Sequence, residues 1–138
     1  MPEDSLRSDN APRLLETRAG TVVRRGDGVL RVQVRAGVSQ TVADAREILA
    51  ACVTVCGGRR CPLLVDIRSA APLEAEVRHL YTGEVMVEHF SAFALLVEGS
   101  PYGRMLGNIY LRVARPGIPT RLFDSEAAAT DWLKGLTA

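Results

Sequence analysis

Two kinds of apolar spacing alternate along this chain, and their succession predicts its elements. In the first stretch, Thr21-Val22-Val23 and Val29 to Val34 flank Gly26-Asp27-Gly28, and Val32 and Val34 alternate with Arg31, Gln33 and Arg35. An Asp-Gly turn between β-branched runs predicts a hairpin, and the period of two predicts a strand with one wet face near a sheet edge. The spacing then changes. Val42, Ala45, Leu49, Cys52, Val53 and Cys56 fall on one helical stripe, with Thr41 and Asp44 as a capping box and Gly57-Gly58 as the stop.

Pro62-Leu63-Leu64-Val65-Asp66 is a short apolar run ending on a carboxylate, the pattern of a strand covered on both faces. A second helix is predicted from Pro72, with Val77, Leu80 and Tyr81 on its apolar side and Thr82-Gly83 weakening its far end. Phe90 to Val97 reads as another covered strand, broken by Gly99-Ser100-Pro101. Tyr102, Met105, Leu106, Ile109, Tyr110 and Val113 then give a third helix, ended by Pro116-Gly117. Pro119 to Phe123 reads as a strand, and Asp124-Ser125 caps a last helix whose stripe is Ala129, Trp132, Leu133 and Leu136. The order ββαβαβαβα predicts an α/β fold: a mixed, largely parallel sheet with an N-terminal hairpin and four helices. Residues 1–13 lack apolar periodicity and are expected to form a flexible tail, leaving 14–138 as a single domain.

Composition narrows the function classes. The 138 residues carry 17 basic and 16 acidic side chains, so net charge gives no reason to expect nucleic acid or a membrane surface as partner. Aromatics at 5% weaken a base-stacking role further. No apolar run approaches the roughly 20 residues that span a bilayer, and Met1-Pro2-Glu3-Asp4-Ser5 does not read as a signal peptide. Three cysteines do not make a disulfide scaffold, and a cytoplasmic location is expected.

The succession of elements resembles the SpoIIAA-like, STAS-type fold, and more specifically small bacterial SpoIIAA-like proteins of unassigned activity. The matching pieces are residues 27–32, 62–68 and 107–111, together with 119–123 leading into Trp132-Leu133. In anti-sigma-factor antagonists of that family a phosphorylatable serine follows the middle strand at the start of the second helix. The nearest counterpart is Ser69, displaced because Ile67 and Arg68 stand between it and Asp66. The resemblance implies a non-catalytic regulatory module that binds a protein partner, with Ser69 as its candidate phosphorylation site.

The ends of parallel strands converge, and crevices there are the default ligand sites of open α/β sheets. They would gather Asp66, Arg68, Ser69 and Glu98, then Ser100, Tyr102 and Arg104, with Asn108 on the edge of a groove left by Gly103 and Gly107. Arg104 opposes the dipole of its helix, to be offset by a bound anion or Glu98, or left to solvent. Asp66 can instead pair with Arg68, and Asp124 can cap a helix. No histidine accompanies the two carboxylates, His79 and His89 being expected at the surface, so no catalytic residue is assigned. Cys52 and Cys56 share a helical face, with Cys61 beginning the next strand; core packing is expected rather than metal binding. Neither cofactor nor metal is called for. Two readings stay open: a regulatory or interaction module, self-associating as a homodimer through the hairpin edge or binding another protein, and a small-molecule-binding protein or enzyme using the crevice.

Overall fold

The computed structural model describes residues 12–81, 84–101, 104–105, 108 and 117–137. One six-stranded sheet organises them, built from β1 (Leu14–Glu16), β2 (Gly20–Arg24), β3 (Leu30–Val34), β4 (Cys61–Asp66), β5 (Phe90–Leu96) and β6 (Thr120–Phe123), in that spatial order. β2 runs antiparallel to both β1 and β3. From β3 to β6 every pairing is parallel. The described helices are α1 (Val42–Cys56), α2 (Ala75–Leu80), α3 (Glu84–His89) and α4 (Glu126–Thr137).

Local chemistry explains where these elements begin and end. Thr41 Oγ1 accepts from the Asp44 amide while the Asp44 carboxylate accepts from the Thr41 amide, so two otherwise unpaired donors of α1 are satisfied reciprocally. At the other end Gly57 takes the left-handed conformation (φ 64°) that stops the helix. The hairpin turn closes through Gly28 N to Arg25 O at 3.0 Å, and Gly28 adopts φ 89°, which a side chain would oppose. Pro62 lies in a central strand with no amide for the ladder. The pairing of β4 with β5 accordingly shifts register between Cys61 and Pro62.

Two apolar layers sandwich the sheet. Residues Val32, Leu63, Phe93 and Leu95 meet Ile48, Cys52 and Val55 of α1, Val77 of α2 and Met86 of α3 on one face. On the other, Leu64, Ala92 and Ala94 meet Ala129 and Leu133 of α4. Because α4 lies over β4, β5 and β6, the Arg31 and Gln33 side chains of β3 emerge beside it rather than beneath it.

The structure changes two expectations. The outer edge of the hairpin is not free: β2 pairs with β1, a three-residue strand too short to declare itself by alternation. The Arg13 carbonyl, just before β1, accepts from the Arg24 amide at 2.8 Å. The second helix starts at Ala75 instead of at Pro72, with Glu74 as a cap whose side chain makes no capping hydrogen bond. Of the third predicted helix, Pro101, Arg104, Met105 and Asn108 are helical and the remainder lies outside the described residues.

Candidate functional site

Asp66 ends β4 with 2% of its surface exposed, which makes it the most deeply buried acidic residue among those described. Its register places it in a row with Gln33, Leu96 and Phe123 across the carboxyl end of the parallel strands. A lone carboxylate buried this far would protonate or destabilise the fold, so its partners decide its role. There are two. Arg68 donates from its backbone amide and Nε to Oδ1, both at 3.0 Å, and from Nη2 to Oδ2 at 2.8 Å. Arg31 donates from Nη2 to Oδ2 at 2.8 Å.

Arg31 continues the network to α4. Its Nε and Nη2 grip the Glu126 carboxylate at 3.1 and 2.8 Å, and its Nη1 donates to Gln33 Oε1 at 2.9 Å. Arg25 approaches the same carboxylate at 3.6 Å, donates to Thr130 Oγ1 at 3.1 Å and pairs with Asp27 at 2.5 Å. Six charges thus alternate in sign from Asp27 through Arg25, Glu126, Arg31 and Asp66 to Arg68. Burial alone pushes the Asp66 carboxyl up. The Arg68 hydrogen bonds and the charges of Arg68 and Arg31 outweigh it, leaving Asp66 below the usual carboxylate value. The Arg31 hydrogen bonds do the same to Glu126, against a smaller effect of burial. Asp66 is therefore an ionised anchor whose oxygens are already occupied, poorly suited to giving or taking a proton near neutral pH.

The other residues expected here separate into distinct surroundings. Ser69 is exposed on the turn after β4, where its carbonyl accepts from the Gly37 amide at 3.1 Å. It precedes the Glu74 cap of α2 by a full turn of chain, so it does not occupy a helix N-terminus where a phosphoryl group would meet free amides. Arg104 pairs with Asp124 at 2.5 Å, neither with Glu98 nor with solvent alone. That pair, with Val97, Leu122 and Phe123, lines a crevice of only about 100 Å³. Ser100 is half-buried and its carbonyl accepts from the Arg104 amide at 3.0 Å; Asn108 is exposed. Tyr102, Gly103 and Gly107 lie outside the described residues. Asp66 and Asp124 belong to separate ion-pair clusters, with the β5 strand between their own strands.

Strand order gives the physical reason for so small a crevice. A doubly wound sheet opens a cleft where its strand order reverses. Here β3, β4, β5 and β6 follow one another in one direction without reversal, so no switch point exists among the described strands. The interior void between the sheet, α1 and the Leu73 and Tyr81 side chains that flank α2, about 20 Å³, has room for one water. The Tyr81 hydroxyl donates to Gln40 Oε1 at 2.6 Å beside it.

Cys52, Cys56 and Cys61 are free thiols in the core. Burial pushes Cys52 up to about 12, as expected for a thiol acting as an apolar filler. No cluster of metal-ligating side chains occurs among the described residues. His79 is exposed, and His89 is partly exposed beside Glu88. Sequence reasoning missed Arg31 and Glu126 as members of the Asp66 site. The only signal was that Arg31 occupies the wet face of the hairpin while Glu126 opens the last helix.

One solved structure shares this architecture. No curated protein matches the chain. An uncharacterised protein of the DUF3478 family from Shewanella loihica PV-4, described as having a SpoIIAA-like fold, aligns over 86% of this chain and 98% of its own with a TM-score of 0.55 at 17% identity. A protein of unknown function from Arthrobacter sp. FB24 is 32% identical over 86% of this chain and 95% of its own, with a TM-score of 0.33. The fold is SpoIIAA-like. No helix among the described residues is long and apolar enough to cross a membrane. The family described as Domain of unknown function (DUF7793) matches residues 23–137, and the chain belongs to it.

Proposed function

We propose that this protein is a non-catalytic regulatory or protein-interaction module that presents the carboxyl end of its sheet to a protein partner. The observation that carries the reading is the state of Asp66. The most favourably placed carboxylate is consumed in holding Arg68 and Arg31, and the surface beyond it offers the exposed Arg68 and Ser69. The adjoining crevice of about 100 Å³ falls short of the roughly 300 Å³ at which ligand pockets begin, so it does not favour the small-molecule alternative. Ser69 is the residue on which a phosphoryl group would change the charge of this surface.

Affinity capture from the native host, with wild-type protein and Ser69→Glu side by side, tests this reading. It predicts a defined partner whose recovery changes with the substitution. No protein enriched over a blank matrix by either bait, or equal recovery with both, counts against it.

A further inference from the structure

The opposite end of the sheet carries a feature that net charge conceals. Where the parallel strands begin, an open cleft of about 530 Å³ is lined by Arg13, Arg24, Arg25, Arg59 and Arg60, with Cys61 at its base. The arginines come from three separate segments: the approach to β1, the hairpin and the α1–β4 loop. Among the described residues one carboxylate, Asp27, shares the cleft, and it is already bound by Arg25 and the Val29 amide. Arg60 spends one nitrogen on the Phe90 carbonyl at 2.9 Å. Among the described residues, no carboxylate pairs with Arg13, Arg24 or Arg59.

We propose that this cleft binds a small, multiply charged oxyanion of the phosphate class, either free or borne by a phosphorylated metabolite. Like charges converging on one concavity repel one another, and a multivalent anion relieves that repulsion where water only screens it. Guanidinium forks match phosphoryl oxygens in pairs and hold their charge at any physiological pH. The cleft volume lies within the ordinary range for small-ligand sites. Among the described residues no aromatic ring lines it, so recognition rests on charge and hydrogen bonds rather than on stacking a base. A hydrogen bond from Cys56, aided by the charges of Arg24 and Arg59, holds Cys61 below the usual thiol value despite burial. This site is independent of the partner surface at the far end of the strands, and either can fail alone.

The test is calorimetric titration of the full-length chain with inorganic pyrophosphate, with a sugar phosphomonoester and with a single-stranded RNA oligonucleotide, each at matched ionic strength. Saturable binding of pyrophosphate or the phosphomonoester is expected, weakened by about tenfold or more in Arg24→Glu/Arg59→Glu. Arg46→Glu/Arg121→Glu makes the same charge change outside the cleft and should leave affinity within about twofold. The stronger of the two small ligands separates a free anion from a phosphorylated metabolite. Should the double variant fail to fold, Arg59→Gln, which alters one exposed side chain, must still weaken binding severalfold. Absence of saturable binding, equal losses in the two double variants, or binding of the oligonucleotide alone overturns the proposal.

Discussion

Arg31 and Glu126 stand 95 residues apart in the chain, yet their side chains meet in a two-point grip, Nε to Oε2 at 3.1 Å and Nη2 to Oε1 at 2.8 Å. The same Nη2 reaches Asp66 at 2.8 Å, so one guanidinium ties the hairpin, the central strand and the last helix together.

Burial ranks the two halves of that tie. Asp66 has a side chain 3% exposed, whereas that of Glu126 is 38% exposed and its charge is screened by solvent. Asp66→Asn should therefore cost about 2–3 kcal/mol, because it leaves two guanidinia facing a neutral, buried amide. Glu126→Gln should cost about 0.5–1 kcal/mol. Urea unfolding followed by circular dichroism checks the order. Equal losses would mean that the network is held by Glu126 as much as by Asp66.

The direction of the carboxylate shifts sets the pH dependence. Asp27, Asp44, Asp66 and Glu126 are all held below their ordinary values. For Asp44 the leading cause is the Arg18 hydrogen bond; for Asp66 the arginine contacts overcome an opposing burial effect. A group whose folded value is lowered binds more protons when unfolded, so its contribution is complete above its unfolded value near 4 and is lost as pH falls through the folded one. Stability should be flat from about pH 7 to 5 and should decline below about pH 4. Asp66→Asn should make that decline shallower. Unfolding midpoints measured at three pH values decide it, and a decline equally steep in the variant would remove Asp66 from the account.

Some of this was legible in the chain and some was not, for identifiable reasons. The Thr41–Asp44 box, the Gly57 stop and the Ser125 cap of α4 were readable because each is a contact within a few residues. The β4 strand was readable because an apolar run ending on a carboxylate has few other uses. The Arg31–Glu126 grip was not, because nothing local in either segment refers to the other. Strand β1 escaped because three residues cannot show a period of two. The arginine cleft left a trace, the doublets Arg24-Arg25 and Arg59-Arg60, each beside a glycine. A formal net charge of +1 averaged that trace away.

Leu133 and Leu136 were both expected on the buried stripe of the last helix, and the structure divides them. Leu133 is fully buried against Leu64 and Ala94, while Leu136 is 47% exposed. Truncation of Leu133 to alanine should cost about 3 kcal/mol, the transfer loss plus an unfilled cavity. Leu136→Ala should cost less than about 0.5 kcal/mol. Thermal denaturation of the two variants separates these outcomes, and a similar loss in both would place Leu136 under cover of something beyond the described residues.

Gly20 opens β2 at a point of close backbone approach, and its lack of a side chain has a steric cause. A Cβ built there would stand 2.5 Å from the Gln33 carbonyl oxygen on the neighbouring strand, 3.3 Å from its carbonyl carbon and 3.4 Å from the Val34 Cα. All three are backbone atoms of β3, so no rotamer change relieves the overlap. The two strands would have to separate where Gly20 is paired with Val34. Gly20→Ala should therefore lose about 2–3 kcal/mol, against the gain of several tenths that alanine usually brings by restricting the unfolded chain. Gly26→Ala is the control, since a Cβ there meets nothing within 4 Å. Amide hydrogen exchange across residues 20–24 and 30–34 should quicken in the first variant and not in the second. Equal protection in the two would show that β2 and β3 tolerate a methyl group between them.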